Sequence, residues 1–159
     1  MTDLPGWLKP TTVWLLLGLM LFLGVQAWQA QQRATRFTVE GQTLEIRRSS
    51  DGHYHWPGRI GNRDVEFLVD TGATGTAIPT ALARELGLQV VGSMQSSTAG
   101  GVVNGQFVVG DLQLQGGVRA ERLRVAVLPQ LDAPLLGMDV LSRMRFSQGD
   151  GVMRFERAR

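Results

Sequence analysis

Asp70, Thr71 and Gly72 stand where an apolar, β-prone run, Val65-Glu66-Phe67-Leu68-Val69, comes to its end. Phe67, Leu68 and Val69 have the composition of a buried strand. A carboxylate placed directly after them is costly to desolvate unless it is hydrogen-bonded, paired or used in chemistry. Gly72 permits a sharp turn and the close approach of another group. The hydroxyls of Thr71 and Thr74 can hold that turn or a neighbouring chain. An acid presented in this way can take a proton from water or give one to a leaving group. The plainer alternative is an Asx-turn, in which Asp70 only accepts backbone N–H groups.

The stretch Asp70-Thr71-Gly72-Ala73-Thr74 resembles the active-site loop of aspartic proteases. A single copy in a short chain is similar to the retropepsin (retroviral-type, clan AA) branch, in particular its membrane-anchored bacterial members. A second segment, Leu135-Leu136-Gly137-Met138-Asp139-Val140-Leu141, resembles the hydrophobic-hydrophobic-Gly element that packs beside the catalytic loop in that family. An Asx-turn alone leaves this partner unexplained. Order and spacing match from about Asp51 to the C-terminus. The resemblance implies an all-β acid-protease barrel with one or two short helices, and endopeptidase activity on peptide or protein substrates. It makes Asp70 the catalytic acid. Thr71 would interlock two loops by hydrogen bonds, Gly72 would let their backbones approach, and Ala73 and Thr74 would support them.

Hydrolysis without a metal or a nucleophilic side chain needs an activated water and an acid for the leaving group, and two carboxylates sharing one proton do both jobs. One loop per chain therefore implies a homodimer, with Asp70 beside its own copy on a two-fold axis. By position, the glycine-rich stretch Ala99-Gly100-Gly101-Val102-Val103 looks like the flap that closes over substrate; the bland alternative is a hairpin tip. No cofactor and no metal are implied. The competing function is a peptide-binding or dimerisation module of the same fold without turnover.

Other chemistries fit poorly. The loop is not the Asp-Lys-Thr-Gly-Thr of P-type pumps, and no Gly-x-x-x-x-Gly-Lys-Ser/Thr phosphate loop occurs. A net charge of +2 with scattered arginines is no nucleic-acid footprint, so no such partner is expected. The chain lacks cysteine, which excludes disulfides and thiolate metal sites. His53 and His55 are two apart and would share a strand face, but no third metal ligand is near in sequence. With 159 residues, 43% of them hydrophobic, there is enough for one domain with a real core.

The elements that must position the loop follow in order. After a tail of residues 1–10, residues 11–28 are uncharged and apolar on every side, with Trp14 and Trp28 near the ends. About 18 residues at 1.5 Å each give roughly 27 Å, enough to cross a bilayer core. A transmembrane anchor is expected there; the alternative is a signal peptide with Lys9 as its basic region and Val25-Gln26-Ala27 at the cleavage site. Lys9 stands against Arg33, Arg36, Arg47 and Arg48 on the far side, so charge does not favour export. The resemblance nonetheless implies an inner-membrane protein with a periplasmic domain. Residues 29–36 read as a linker and 37–159 as the protease domain.

Within that domain, Phe37-Thr38-Val39 and Thr43 to Arg47 read as a hairpin around Gly41-Gln42. Tyr54 to Ile60 and Arg63 to Val69 form a second around Gly61-Asn62. Pro79 to Gly87 reads as a short helix with Thr80 as N-cap and Gly87 just past its end. Leu88 to Val91 returns to strand. Phe107 to Leu114 and Val118 to Leu128 pair around Gly116-Gly117. Met138 to Met144 is a short helix whose first turn carries Asp139, an acid favoured there by the helix dipole without a catalytic role. Val152 to Phe155 closes the chain as a strand.

Overall fold

The computed structural model describes residues 8–33, 36–39, 43–98 and 101–156. The chain divides into two units, Met1–Ala34 and Thr35–Arg159.

The first unit is a helix, α1 (Leu8–Arg33). It forms where the apolar run is and continues through residues 29–33 of the expected linker, because Gln29 to Arg33 contains no residue that stops a helix. Its apolar side chains are exposed, among them Trp14, Leu15, Met20, Leu21 and Phe22. Among the described residues, no helix is long and apolar enough to cross a membrane.

The second unit is almost wholly β. In chain order it contains β1 (Arg36–Val39), β2 (Thr43–Arg47), β3 (His55–Ile60), β4 (Arg63–Val69) and β5 (Ala77–Pro79). Then come α2 (Thr80–Glu85), β6 (Val90–Thr98), β7 (Gly101–Leu114), β8 (Val118–Leu128) and β9 (Leu135–Leu136). It ends with α3 (Met138–Leu141), β10 (Arg145–Gly149) and β11 (Val152–Glu156). Eight strands form one sheet in the order β1-β8-β5-β9-β4-β3-β7-β6, and β7 pairs back onto β8. That extra pairing closes the sheet into a barrel. A smaller sheet, β10-β11-β2, lies apart from it in hydrogen bonding.

The barrel core is filled by Trp56, Ile60, Phe67, Ile78, Leu112 and Leu136, all fully buried. Trp56 brings its polar edge inside and satisfies it, since Nε1–H donates to the Gln115 carbonyl at 2.8 Å. Its ring lies 4.4 Å from Phe155, which joins the small sheet to the barrel through packing. The burial of alternate residues along β7 and β8 is what fixes their register, because a one-residue slip would turn Leu112, Leu114 and Leu123 outward.

The hairpins expected around Gly61-Asn62 and Gly116-Gly117 form as β3–β4 and β7–β8. The hairpin expected between Phe37 and Arg47 does not form. β1 pairs with Val118–Glu121 of β8, and β2 pairs with β11. Alternation identifies a strand but not its neighbour; Ile46 of β2 is buried opposite Met153, and that burial selects the distant partner. Thr80 is not the N-cap of α2. Pro79, in extended conformation at the end of β5, holds that place, and no side chain caps the helix. Gly87 lies just past the helix end with φ of +61°, as expected. α3 stops at Leu141 rather than Met144, and β10, unexpected from sequence, follows.

His53 and His55 do not share a strand face. His53 precedes β3, and the His55 Nε2 lies 2.7 Å from Asp51 Oδ2. The His53 backbone N–H, followed by the His55 ring, holds the Asp51 carboxyl below its ordinary value. Among the described residues, no group of three His, Asp or Glu side chains is placed to hold a metal ion.

Candidate active site

β4 carries the chain to Asp70, and each residue at its end is pinned by a different neighbour. The Leu68 N–H donates to the Pro134 carbonyl at 2.8 Å, and the Val69 N–H to the Tyr54 carbonyl at 2.9 Å. The Asp70 N–H donates to the Leu136 carbonyl at 3.0 Å. Leu135-Leu136 thus forms a short parallel strand, β9, against Leu68-Val69, and its buried Leu136 completes the core beneath the loop. A parallel pair of two residues is weak by itself and needs this covering on both faces.

Past β4 the loop turns on the Asp70 side chain. The Gly72 N–H donates to Asp70 Oδ1 at 2.8 Å, and the Ala73 N–H to the Asp70 carbonyl at 3.3 Å. The Asx-turn read from the sequence is therefore present, but it engages only one carboxylate oxygen. A Cβ at Gly72 would stand 3.2 Å from that oxygen, tight enough to crowd the carboxylate. Asp70 is half-buried, whereas Thr71, Gly72 and Thr74 are exposed beside it. These loop residues, with Ala73, Met138 and Ser142, line a shallow surface hollow of about 360 Å³.

Gly137 lies against the loop from the other side. Its N–H donates to Thr76 Oγ1 at 3.3 Å, and the Met138 N–H donates to the Ala73 carbonyl at 2.9 Å. The loop and the Leu-Leu-Gly element are thereby locked as one piece.

Two residues that carry this lock were not singled out as functional by sequence. Thr76 is the one buried polar side chain among the described residues. Its hydroxyl donates to Asp139 Oδ1 at 2.8 Å, and its N–H donates to the same oxygen at 2.9 Å. The Val140 N–H adds a third donor at 2.9 Å. Asp139 does occupy the first turn of α3, but it is more than a dipole partner, because it gathers three donors where the loop meets α3. A hydroxyl just before the apolar pair Ala77-Ile78, together with an acid two residues after Leu-Leu-Gly, was the available signal.

This predicts opposite outcomes for two changes at one position. Asp139→Ala leaves the buried Thr76 donors unpaired and costs about 2–3 kcal/mol. Asp139→Asn retains an acceptor oxygen and recovers most of that loss. Urea denaturation of both variants checks it; equal stability of Ala and Asn variants would contradict the role assigned to Asp139.

Above the loop lies a cleft of about 1000 Å³ whose wall includes Asp70, Met94, Ser97, Val103, Phe107 and Arg124. The β6–β7 hairpin forms one side of it. Of the expected flap residues, Ala99 and Gly100 lie outside the described residues. Gly101 begins β7, Val102 is exposed, and Val103 is buried and lines the cleft. The strands of this hairpin are longer than the sequence reading, with β6 running unbroken from Val90 to Thr98. A half-buried carboxylate with one oxygen held by an amide, beside a cleft of this size, can bind and polarise a water molecule.

Comparison with known proteins agrees with this geometry. A family profile described as "gag-polyprotein putative aspartyl protease" matches residues 56–143, which span β3 to the end of α3. A curated protein of Rickettsia prowazekii (strain Madrid E), itself uncharacterised, is 28% identical over 114 residues. That match takes in 69% of this chain and 49% of the relative, so the chain spans about half of that protein's length. Among solved structures, a retropepsin-like aspartic protease from Rickettsia conorii superposes with a TM-score of 0.61 at 26% identity. The superposition covers 72% of this chain and 99% of that one. The EIAV protease, solved with the inhibitor HBY-793, shares the fold at 21% identity, with a TM-score of 0.52 over 59% of this chain and 89% of its own. The profile takes in both Asp70-Thr71-Gly72 and Leu135-Leu136-Gly137, and the chain belongs to the retropepsin-like gag-polyprotein aspartyl protease family.

Proposed function

We propose that this protein is an aspartic endopeptidase whose catalytic centre is a pair of Asp70 carboxylates, one from each subunit of a homodimer. One observation carries the reading. Two carboxylates line the cleft, and Asp139 has its Oδ1 committed to three donors, which leaves Asp70 alone as the reactive acid of each chain. The second acid then comes from a second copy. The exposed Thr71, Gly72 and Thr74 support that arrangement, since they offer small and hydroxyl-bearing groups where two loops would meet.

In such a dyad, two carboxylates about 3 Å apart share a proton, as aspartic proteases do generally. The ionised Asp70 takes a proton from water as the water oxygen bonds to the scissile carbonyl carbon. The protonated Asp70 gives its proton to the carbonyl oxygen. Collapse of the tetrahedral intermediate returns a proton to the departing amine and breaks the C–N bond. The pH profile belongs to the pair rather than to either residue. Substrate would lie extended against the β6–β7 hairpin, held by main-chain hydrogen bonds; β6 is an edge strand of its sheet, which suits strand addition.

Although no described helix is by itself long and apolar enough to cross a bilayer, the run of residues 11–28 is read as a membrane anchor, with the protease domain on the periplasmic side of the inner membrane. Its exposed apolar side chains from Val13 to Val25 support the membrane part of this reading. Tethering would raise local concentration and favour pairing of a weak dimer.

Full-length protein in detergent, incubated with a peptide library, should cleave it, with specific activity that falls on dilution as dimers separate. Activity per chain that is constant across dilution, with a sedimenting monomer, would rule out the shared dyad. Release of the protein from membranes by alkaline carbonate would rule out the anchor.

A further inference from the structure

Arg124 is an exposed residue of β8 whose side chain reaches into the cleft wall. It is the only cation there among the described residues, the other charged groups being Asp70 and Asp139. Its guanidinium carbon lies 3.6 Å from the centroid of the Phe107 ring, a cation–π contact. Gly92, which pairs with Phe107 across the hairpin, lies beside the guanidinium, since a Cβ there would stand 4.0 Å from an Arg124 terminal nitrogen, in ordinary contact. None of the ion pairs among the described residues includes Arg124. A cation held by a ring face, without a carboxylate partner and opening on a substrate cleft, is built to receive an anion. Its planar fork suits a carboxylate, which it can bind through two parallel N–H donors.

We infer that Arg124 is a specificity residue that selects an acidic side chain, Asp or Glu, in the peptide substrate. Val103 and Phe107 both line the cleft and are four residues apart on β7, about 13 Å in an extended strand. A substrate lying along the hairpin meets Arg124 at an outer position, several residues from the bond that is cut. A two-fold dimer presents the residue twice, so the preference holds at both ends of the substrate. The inference rests on the endopeptidase reading above.

The test uses full-length protein in detergent at about pH 6, where substrate carboxylates are ionised. Matched peptides carrying Glu, Gln or Lys at each outer position give ratios of kcat/KM. Wild type is expected to favour Glu over Gln by about tenfold, mainly through KM, with the ratio shrinking at high salt. Arg124→Glu should invert the order to favour Lys, and Arg124→Lys should keep a reduced preference for Glu because the fork is lost. Wild type that cleaves Glu and Gln peptides equally, or Arg124→Glu that still favours Glu, overturns the inference while leaving the protease reading intact. Wild type that cleaves no peptide overturns both.

Discussion

Asp70→Asn should lower peptide cleavage at least about a thousandfold while leaving the fold in place. The separation of the two effects follows from what each oxygen of Asp70 does. Oδ1 accepts the Gly72 N–H at 2.8 Å, and an asparagine oxygen can accept that same bond, so the Asx-turn survives. The backbone of the loop is held by Leu136, Ala73 and Met138, none of which involves the Asp70 side chain beyond the turn itself. The stability change should therefore stay below about 1 kcal/mol, the worth of one ordinary hydrogen bond. The carboxylate's proton affinity has no substitute in an amide. Peptide turnover assayed beside a thermal melt checks both halves, and a folded variant with wild-type kcat would end the assignment of Asp70 as the catalytic acid.

Gly137→Ala is expected to have the largest effect on stability. A Cβ there would lie 2.5 Å from the Gly75 carbonyl oxygen and 2.9 Å from the Gly75 Cα. These are backbone atoms of the active-site loop, not the end of a flexible side chain, so relief requires the loop or β9 to move. Gly137 has φ of −95° and ψ of −178°, extended values that alanine adopts freely, so the penalty is steric and not conformational. Overpacking of this kind costs about 3 kcal/mol. That would lower Tm by roughly 10 °C in a domain of this size. Because the displaced atoms belong to the loop that carries Asp70, activity should fall with stability. Gly149→Ala is the matching control. No atom lies within 4 Å of a Cβ there, and a change of less than about 0.5 kcal/mol is expected. A Gly137→Ala protein that melts within a degree of wild type would show that the two segments are not locked as described.

Arg124 was not legible in the sequence for a related reason. A lone arginine in an alternating strand reads as a solvated outward residue, as Arg119 and Arg122 do on the same β8 segment. Only the pairing of Gly92 with Phe107, and of Phe107 with Ala126, places it at a ring face on the cleft. Thr76 and Asp139 were hidden in the same way, being 63 residues apart in sequence. The local composition of Asp70-Thr71-Gly72 and of Leu135-Leu136-Gly137 is unusual enough to stand out in the sequence, and the fold packs the two segments together.

What the chain alone determined was local: apolar runs alternating into strands, glycine turns that reverse β3 into β4 and β7 into β8, and an acid placed where a buried strand ends. Each is a property of neighbours within a few residues, which periodicity and turn chemistry can report. What only the tertiary structure decided was which strands meet. β1 crosses to β8 and β2 to β11, and β9 slots in parallel beside β4. Those choices follow from the burial of Ile46 and Leu136 against residues far along the chain. A pattern of period two says that a face must be covered, and only the folded barrel says by what.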